Sequence, residues 1–186
     1  LNIIFRSFQL SFGATLLCLI FGFPVAYYIT LQPENRRNFY IYLVTIPFWT
    51  NLLIRTFAWI IILGRGGVIE APLLATGIID DSLRMMYSDG AIAIGLTYSY
   101  LPLMVLPIYA SLEKLDFRLL DAASDLYANR FEIMTKVVIP LSKPGIIAGC
   151  ILVFIPCLGA FIAPNLLGGG KKLMLGSLVQ FQFASA

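Results

Sequence analysis

Few side chains in this 186-residue sequence are of the types that do acid–base or metal chemistry. There is no histidine, the commonest general base near neutral pH and the commonest transition-metal ligand. Cys18, Cys150 and Cys157 all lie in apolar stretches, and we interpret them as small buried hydrophobic residues. The apolar stretches also contain no paired carboxylates and no nucleophile beside a base. The sequence therefore predicts a chain that is not an enzyme and holds no metal.

The glycine-rich run at 168–172 is the nearest approach to a phosphate-binding loop. Such a loop has the pattern Gly-x-x-x-x-Gly-Lys followed by Ser or Thr. Here Gly168 opens a triple glycine, Lys171 and Lys172 follow it directly, and no hydroxyl residue comes next. We interpret the run as an external turn, and we expect this chain to bind no ATP and no other cofactor.

The composition indicates that most of the surface faces lipid. Hydrophobic residues make up 59% of the sequence and charged residues 12%, against about 25% charged residues in soluble domains. A membrane-spanning helix needs about 20 predominantly apolar residues, and the segments 8–30, 39–63, 90–112 and 144–167 qualify. The net charge of +3 is spread along the chain, so we expect no nucleic-acid partner. The predicted fold class is an all-α, polytopic transmembrane helical bundle with about four spans present.

Prolines and small residues shape the predicted spans. Membrane helices tolerate proline when neighbours satisfy the freed backbone groups, and we expect kinks at Pro24, Pro47, Pro102, Pro107 and Pro156. Small residues four apart let helix backbones approach closely. Three such pairs occur, namely Gly22 with Ala26, Gly145 with Gly149, and Gly159 with Ala163. Each pair is either a helix–helix contact surface or part of the usual small-residue content of membrane helices.

The charges between the spans indicate which side faces the cytoplasm. With four spans, the connections 31–38 and 113–143 lie on the same side. They hold seven Lys and Arg residues, whereas the other side holds five, which are Arg6, Arg65, Arg84, Lys171 and Lys172. The positive-inside rule therefore favours a cytoplasmic position for the two connections.

The connection 113–143 carries ten charges, five of each sign. Its apolar residues fall on one face of each of two helical segments: Leu119, Ala123 and Leu126 on the first, and Phe131, Met134, Val137 and Val138 on the second. We expect two short helices that form a compact protrusion below the membrane. Ala122 and Ala123 would let another surface approach it closely.

This connection resembles the "EAA" loop of binding-protein-dependent ABC importer permeases. That loop has the pattern Glu-Ala-Ala, three residues, Gly, nine residues, Ile-x-Leu-Pro. The residues at the matching positions are Asp121, Ala122, Ala123, Tyr127, Val137, Ile139 and Pro140. The resemblance implies that these residues form a coupling site for a cytoplasmic ATPase.

Tyr127 departs from the pattern of that loop, because it stands where the family has glycine. A left-handed backbone costs a non-glycine residue about 1–2 kcal/mol. We therefore expect the turn to shift to Asn129, since asparagine tolerates that conformation better.

Other segments are similar to the polyamine branch of these permeases, such as PFWTN at 47–51, IRTFAW at 54–59 and LPLMVLP at 101–107. The resemblance implies one permease domain over 1–186, of the type I ABC importer kind, with 113–143 as its coupling loop. Family members have six spans, so we expect the first and last spans to lie outside these residues.

The same resemblance implies a multi-pass subunit of the bacterial inner membrane that imports spermidine or putrescine. Its implied partners are a cytoplasmic ATPase dimer that holds ATP and Mg, a second homologous permease subunit, a periplasmic or extracellular polyamine-binding protein, and membrane lipid.

Four aromatic residues are candidates to line a path for a polycation: Trp49, Trp59, Tyr98 and Tyr100. Aromatic faces attract cations by about 0.5–2 kcal/mol. Ordinary packing or an interfacial aromatic belt is the alternative interpretation.

Two charged residues complete the candidate path. Asp89, at the mouth of the third span, is a candidate for first contact with a cation. Arg55, the lone charged residue within a predicted span, is a candidate functional residue. We favour a structural role in which Arg55 bonds backbone carbonyls or an acid, with a gate element as the alternative.

Two other functions stay open. The same permease architecture serves importers of ferric iron, thiamine, sulfate and phosphonate. An ion-coupled secondary transporter or channel belongs to another class, and such proteins usually employ intramembrane carboxylates or histidine relays. The four predicted spans contain neither.

Overall fold

The computed structural model describes residues 2–64, 67–68, 70–71, 87–116, 118–169 and 174–184. Every regular element within these ranges is helical, so the predicted all-α fold class is confirmed. The helices are α1 (Asn2–Thr30), α2 (Glu34–Trp49), α3 (Leu52–Leu63), α4 (Asp89–Leu112), α5 (Arg118–Asp125), α6 (Arg130–Gly159), α7 (Ile162–Leu167) and α8 (Leu175–Ala184).

Three of these helices, α1, α4 and α6, are long and apolar enough to cross a membrane. Helix α4 lies at the centre, because it packs against both α1 and α6 and also touches α2, α3 and α7. Its buried side chains include Ile92, Leu96, Met104 and Ile108. Among the cysteines, Cys18 and Cys157 are fully buried and all three are free, as predicted for small hydrophobic residues.

Small residues allow the three central helices to approach one another. A Cβ atom on Gly145 would lie 2.5 Å from the Pro107 carbonyl oxygen, and one on Gly149 would lie 2.8 Å from the Met104 sulfur. Gly22 faces Met104 in the same way, at 3.1 Å. Gly22, Gly145 and Gly149 therefore lie in contact surfaces between helices. Gly159 differs, since a Cβ there would meet nothing within 4 Å.

The predicted second span, 39–63, is not one helix. Helices α2 and α3 meet at an angle of 90° around Thr50 and Asn51, whose backbones are extended. Pro47 lies in the last turn of α2, and the Asn51 side chain caps α3 by accepting a hydrogen bond from the Leu53 N–H at 2.8 Å. We call this bend the elbow. Proline weakens the end of one helix and an asparagine cap starts the next, which explains the break.

The predicted fourth span, 144–167, has the wrong boundaries. Helix α6 begins at Arg130 and ends at Gly159, where Ala160 takes an extended backbone, so 162–167 forms the separate helix α7. A π-helical turn, Met134–Val138, lies inside α6 and ends two residues before Pro140. This wider turn occurs where Pro140 lacks an N–H for the usual bond to the Lys136 carbonyl. Helix α6 therefore continues through Pro140, although the sequence alone suggests that a helix starts near this proline.

Contacts at the helix ends fix the topology. Arg37, near the start of α2, pairs with Glu113, directly after α4, at 3.2 Å. This contact confirms that the connections 31–38 and 113–143 lie on the same side, which we call the lower end. At the opposite, upper end, Arg6 of α1 pairs with Asp89 of α4, and the Leu175 N–H of α8 donates to Ser7 Oγ at 2.9 Å.

Candidate coupling and translocation sites

Helix α5 lies at the lower end, where Leu120 packs against the hydrophobic core and most of its other side chains are exposed. It is preceded by Asp116, whose carboxylate accepts the Arg118 N–H at 3.0 Å, and none of its residues is buried. Asp121 and Ala122 are exposed, and Ala123 is partly covered. A helix of eight residues is too short to be stable through its own hydrogen bonds. Its exposed position is therefore typical of an element whose packing partner is another molecule.

Tyr127 adopts a left-handed backbone, with φ of 61°, so the expected shift of this turn to Asn129 is wrong. The hydrogen bonds explain the outcome. The Tyr127 N–H donates to the Ser124 carbonyl at 3.0 Å and the Ala128 N–H donates to the Ala123 carbonyl at 3.1 Å, which is the Schellman pattern that ends a helix. That pattern requires the left-handed residue at position 127.

Asn129 has a different task, because it is the N-cap of α6. Its side chain accepts the Glu132 N–H at 2.8 Å, and the Glu132 carboxylate accepts the Asn129 N–H at 3.0 Å. This reciprocal capping box needs an extended backbone, and Asn129 has φ of −76° and ψ of 166°. Only the three residues 126–128 separate the end of α5 from the Asn129 cap of α6, so the turn cannot move.

The remaining coupling candidates lie within α6. Val137, Ile139 and Pro140 are partly buried, at and just after the π turn. The expected second short helix of the connection is therefore the first part of a spanning helix. The structure does not bring these three residues onto the exposed surface of α5.

An exposed apolar surface follows α5, and it includes Leu126 and Phe131, which the sequence pattern placed on the apolar faces of the two helical segments. Leu126 is 80% exposed, Tyr127 96% and Phe131 76%. Leu126 and Phe131 thus point outward, whereas Val138 on the second predicted face is buried. The signal that could have revealed this is length, because eight residues of helix cannot bury an apolar face alone.

The four aromatic path candidates do not form one cluster. Trp59 of α3 and Tyr98 of α4 pack edge to face, with ring centroids 5.6 Å apart and planes at 73°. Tyr100 lies two residues further along α4 and lines a cavity of about 120 Å³ with Leu52, Ser99 and Pro156. Trp49, at the end of α2 before the elbow, is 87% exposed.

The two charged path candidates have different surroundings. Asp89 pairs with Arg6, so a cation at the upper end would have to compete with a guanidinium for this carboxylate. Arg55 lies in the first turn of α3, where its Nε and Nη1 atoms are buried without a hydrogen-bond partner in the described part of the chain. The expected bonds from these two nitrogens to carbonyls or an acid are therefore absent there.

Comparison with known proteins identifies the family. Residues 19–184 match the family described as "Binding-protein-dependent transport system inner membrane component". The chain belongs to this family. It is accordingly an inner-membrane component of a transport system, in agreement with its apolar spanning helices.

Relatives of this transport component carry a more specific name. Two proteins named spermidine/putrescine transport system permease protein PotB, from Escherichia coli K12 and Salmonella typhimurium LT2, are 42% identical over 182 residues. The match covers 98% of this chain but 66% and 63% of those relatives. A PotB homolog of Mycoplasma pneumoniae is 33% identical over 85% of the chain and 54% of its own length.

The transport component also has a solved structural neighbour, a bacterial alginate ABC transporter in complex with an alginate pentasaccharide-bound periplasmic protein. The TM-score is 0.64 over 97% of this chain and 68% of that chain, at 17% identity. This likeness shows a shared fold.

Proposed function

We propose that this chain is the permease subunit of an ATP-driven importer of polyamines such as spermidine and putrescine. The relatives named PotB support the cargo, because their identity of 42% extends over nearly the whole chain. The chain spans 63–66% of their length, so its cargo and partners are inferences from the part that matches. The partners in this proposal are a second permease subunit, an ATPase dimer and an external polyamine-binding protein.

The single observation that carries the coupling role is the exposure of α5 at the lower end. None of its residues is buried, and the apolar side chains of Leu126, Tyr127 and Phe131 beside it point away from the bundle. Exposed apolar surface of this kind marks an interaction site. In this proposal α5, with Asp121, Ala122 and Ala123, docks on the separate ATPase, which holds ATP and Mg, while this chain binds no cofactor.

The cargo path follows from the chemistry of a polyamine, which combines ammonium groups with apolar methylene links. The Trp59–Tyr98 pair offers aromatic faces that attract cations. Tyr100 lines a separate cavity between α4 and the end of α6. We assign cargo contact to these three residues ahead of Trp49, Asp89 and Arg55.

Substitution within α5 tests the coupling role in the complete transporter reconstituted with its ATPase and binding protein. Ala122→Asp places a charged, larger side chain on an exposed position of α5, and we expect it to abolish uptake of labelled spermidine and the stimulation of ATP hydrolysis by the binding protein. Ser124→Asp is the matched control, because Ser124 is exposed on the same helix but about 200° around it. Full transport by the Ala122→Asp transporter would refute the docking role.

Competition in the same assay tests the cargo separately. Unlabelled putrescine should reduce uptake of labelled spermidine, whereas ferric iron, thiamine, sulfate and phosphonate should leave it unchanged. Uptake of one of these other solutes instead of spermidine would refute the polyamine assignment and leave the coupling role standing.

A further inference from the structure

Arg37 connects three helix ends at the lower end of the bundle. Its Nη1 donates to Glu113 Oε1 at 3.2 Å, and its Nη2 donates to the Thr30 carbonyl at 3.3 Å. The Tyr109 hydroxyl donates to the same Glu113 oxygen at 2.7 Å. A single guanidinium that belongs to α2 thus bridges the last residue of α1 and the first residue after α4.

Each contact suits the chemistry of its partner. The Thr30 carbonyl ends α1, where unpaired carbonyls and the helix dipole favour a cation. The Glu113 carboxylate also accepts a hydrogen bond from the Tyr109 hydroxyl, which helps to fix its position independently of Arg37. Glu113 is also the first residue of the connection 113–143, which leads directly to α5.

Helix α2 packs on the bundle through Tyr40, Ile41 and Val44, which lie partly buried against the hydrophobic core. None of its residues is fully buried. A cavity of about 270 Å³ lies between α2 and α1, where the rings of Tyr28 and Tyr40 meet edge to face at 5.7 Å. To this apolar packing the Arg37 side chain adds an ion pair and a hydrogen bond from α2 to the ends of the two long helices.

Stability alone does not account for this arrangement. The Arg37 side chain is 19% exposed, and its Nε atom is buried without a hydrogen-bond partner in the described ranges. A buried polar atom left unsatisfied costs stability, and a partly buried ion pair is weak evidence for a stabilising role.

We infer that Arg37 is a positioning residue that makes α2 follow the coupling segment. Movement of α5 shifts Glu113, the Arg37–Glu113 pair carries the shift to α2, and α2 carries it to the elbow and α3. This inference rests on the proposed function, and it adds the residue through which the motion of the coupling segment reaches the second spanning segment.

Transport stoichiometry tests the inference in the reconstituted, complete transporter. We expect Arg37→Met and Glu113→Gln each to lower the spermidine imported per ATP hydrolysed by about fivefold or more, while ATP hydrolysis continues. The double variant should be no worse than the poorer single variant, because both substitutions remove the same contact. Arg36→Met is the matched control, an exposed arginine one position earlier, and should change the ratio by less than about twofold.

Arg37→Lys separates positioning from folding, because lysine keeps a donor for Glu113. We expect it to recover at least part of the ratio lost in Arg37→Met. Import and hydrolysis that fall in equal proportion in Arg37→Met and Glu113→Gln would overturn the inference, as would strictly additive effects in the double variant.

A distance measurement tests the same inference without any cargo. Spin labels at Asn38 on α2 and Lys114 beside Glu113 occupy exposed positions. In the otherwise unchanged transporter the distance between the labels should stay narrow with and without ATP, because the pair moves together. In Arg37→Met it should broaden in one of the two conditions. An unaltered distribution in Arg37→Met would overturn the positioning role even if polyamines proved not to be the cargo.

Discussion

Tyr127 has a left-handed backbone that its residue type disfavours, as Tyr87 also has. The flanking Schellman motif and the Asn129 capping box require the conformation, although tyrosine disfavours it. The ring is 96% exposed, so it gains nothing from packing within the chain. A strained residue whose side chain gains no packing within its own chain indicates a role at an interaction surface.

Substitution of Tyr127 should separate stability from docking. We expect Tyr127→Gly to raise thermal stability, because glycine adopts the left-handed conformation without the cost of about 1–2 kcal/mol. The same variant should bind the ATPase about tenfold more weakly, which corresponds to about 1.4 kcal/mol for the lost ring. Thermal unfolding in detergent and a titration with the ATPase provide the two measurements. Tyr127→Asn also lacks the ring and tolerates the left-handed turn, so we expect the same two effects as in Tyr127→Gly. ATPase binding at full affinity in both variants would contradict the docking role.

At the scale of elements, the elbow between α2 and α3 depends on a local cap. Asn51 starts α3 by accepting the Leu53 N–H, and this bond is the polar anchor of the first turn. Because α3 also carries Arg55 and Trp59, the direction in which it leaves the elbow sets where these side chains lie.

Loss of the cap should loosen the start of α3. We expect Asn51→Ala to cost about 1 kcal/mol and to speed amide hydrogen exchange in the first turn of α3 while exchange in α4 stays unchanged. Asn51→Ser is the control, since its hydroxyl oxygen can accept the same N–H. Equal exchange in the alanine and serine variants would show that the cap does not hold the elbow.

The helices and the topology could be predicted from the sequence because both follow from composition. Runs of about 20 apolar residues indicate spans, and the charges mark the connections between them. The breaks were harder to predict, since 50–51 and 160–161 lie inside apolar stretches. Asn51 before a leucine pair is a cap signal that could have located the first break. The second break comes directly after Gly159, a residue type typical of helix ends, and α7 beyond it packs against α3 and α4.

The candidate site was predictable only in part for a related physical reason. The spacing from Asp121 to Pro140 predicted a coupling segment, and the exposed helix α5 lies within it; the coupling role itself stays a prediction. Spacing does not reveal pairing, so the Arg6–Asp89 contact and the separation of Tyr100 from the Trp59–Tyr98 pair required coordinates. Residues two apart on a helix point about 200° apart, which explains why Tyr98 and Tyr100 have different surroundings.

At the scale of the whole molecule, close backbone contact between α4 and α6 holds the bundle together. Gly145 lies where an added Cβ would come within 2.5 Å of the Pro107 oxygen and 2.6 Å of the Ser111 Cβ, while Gly159 has open space around it. Close packing contacts of this kind drive helix association in lipid, where the hydrophobic effect does not bring helices together.

The two glycines form a matched pair for a stability test. Gly145→Ala should destabilise the folded permease by about 1–3 kcal/mol through overpacking, and lower its yield in the membrane. Gly159→Ala should leave both unchanged, although both glycines lie in the same helix. Unfolding in a graded detergent series provides the measurement, and equal effects of the two substitutions would contradict the packing described here.

The elbow also has a consequence for how the chain is oriented in the bilayer. Helix α2 has 16 residues and rises about 24 Å, which is less than the hydrocarbon thickness of about 30 Å. We therefore expect the extended backbone at Thr50 and Asn51 to lie at a depth where peptide groups without helical hydrogen bonds cannot face acyl chains. This corner of the chain should then be turned toward protein or an aqueous cavity, which would distinguish the inner lining of the proposed transporter from its lipid-facing perimeter.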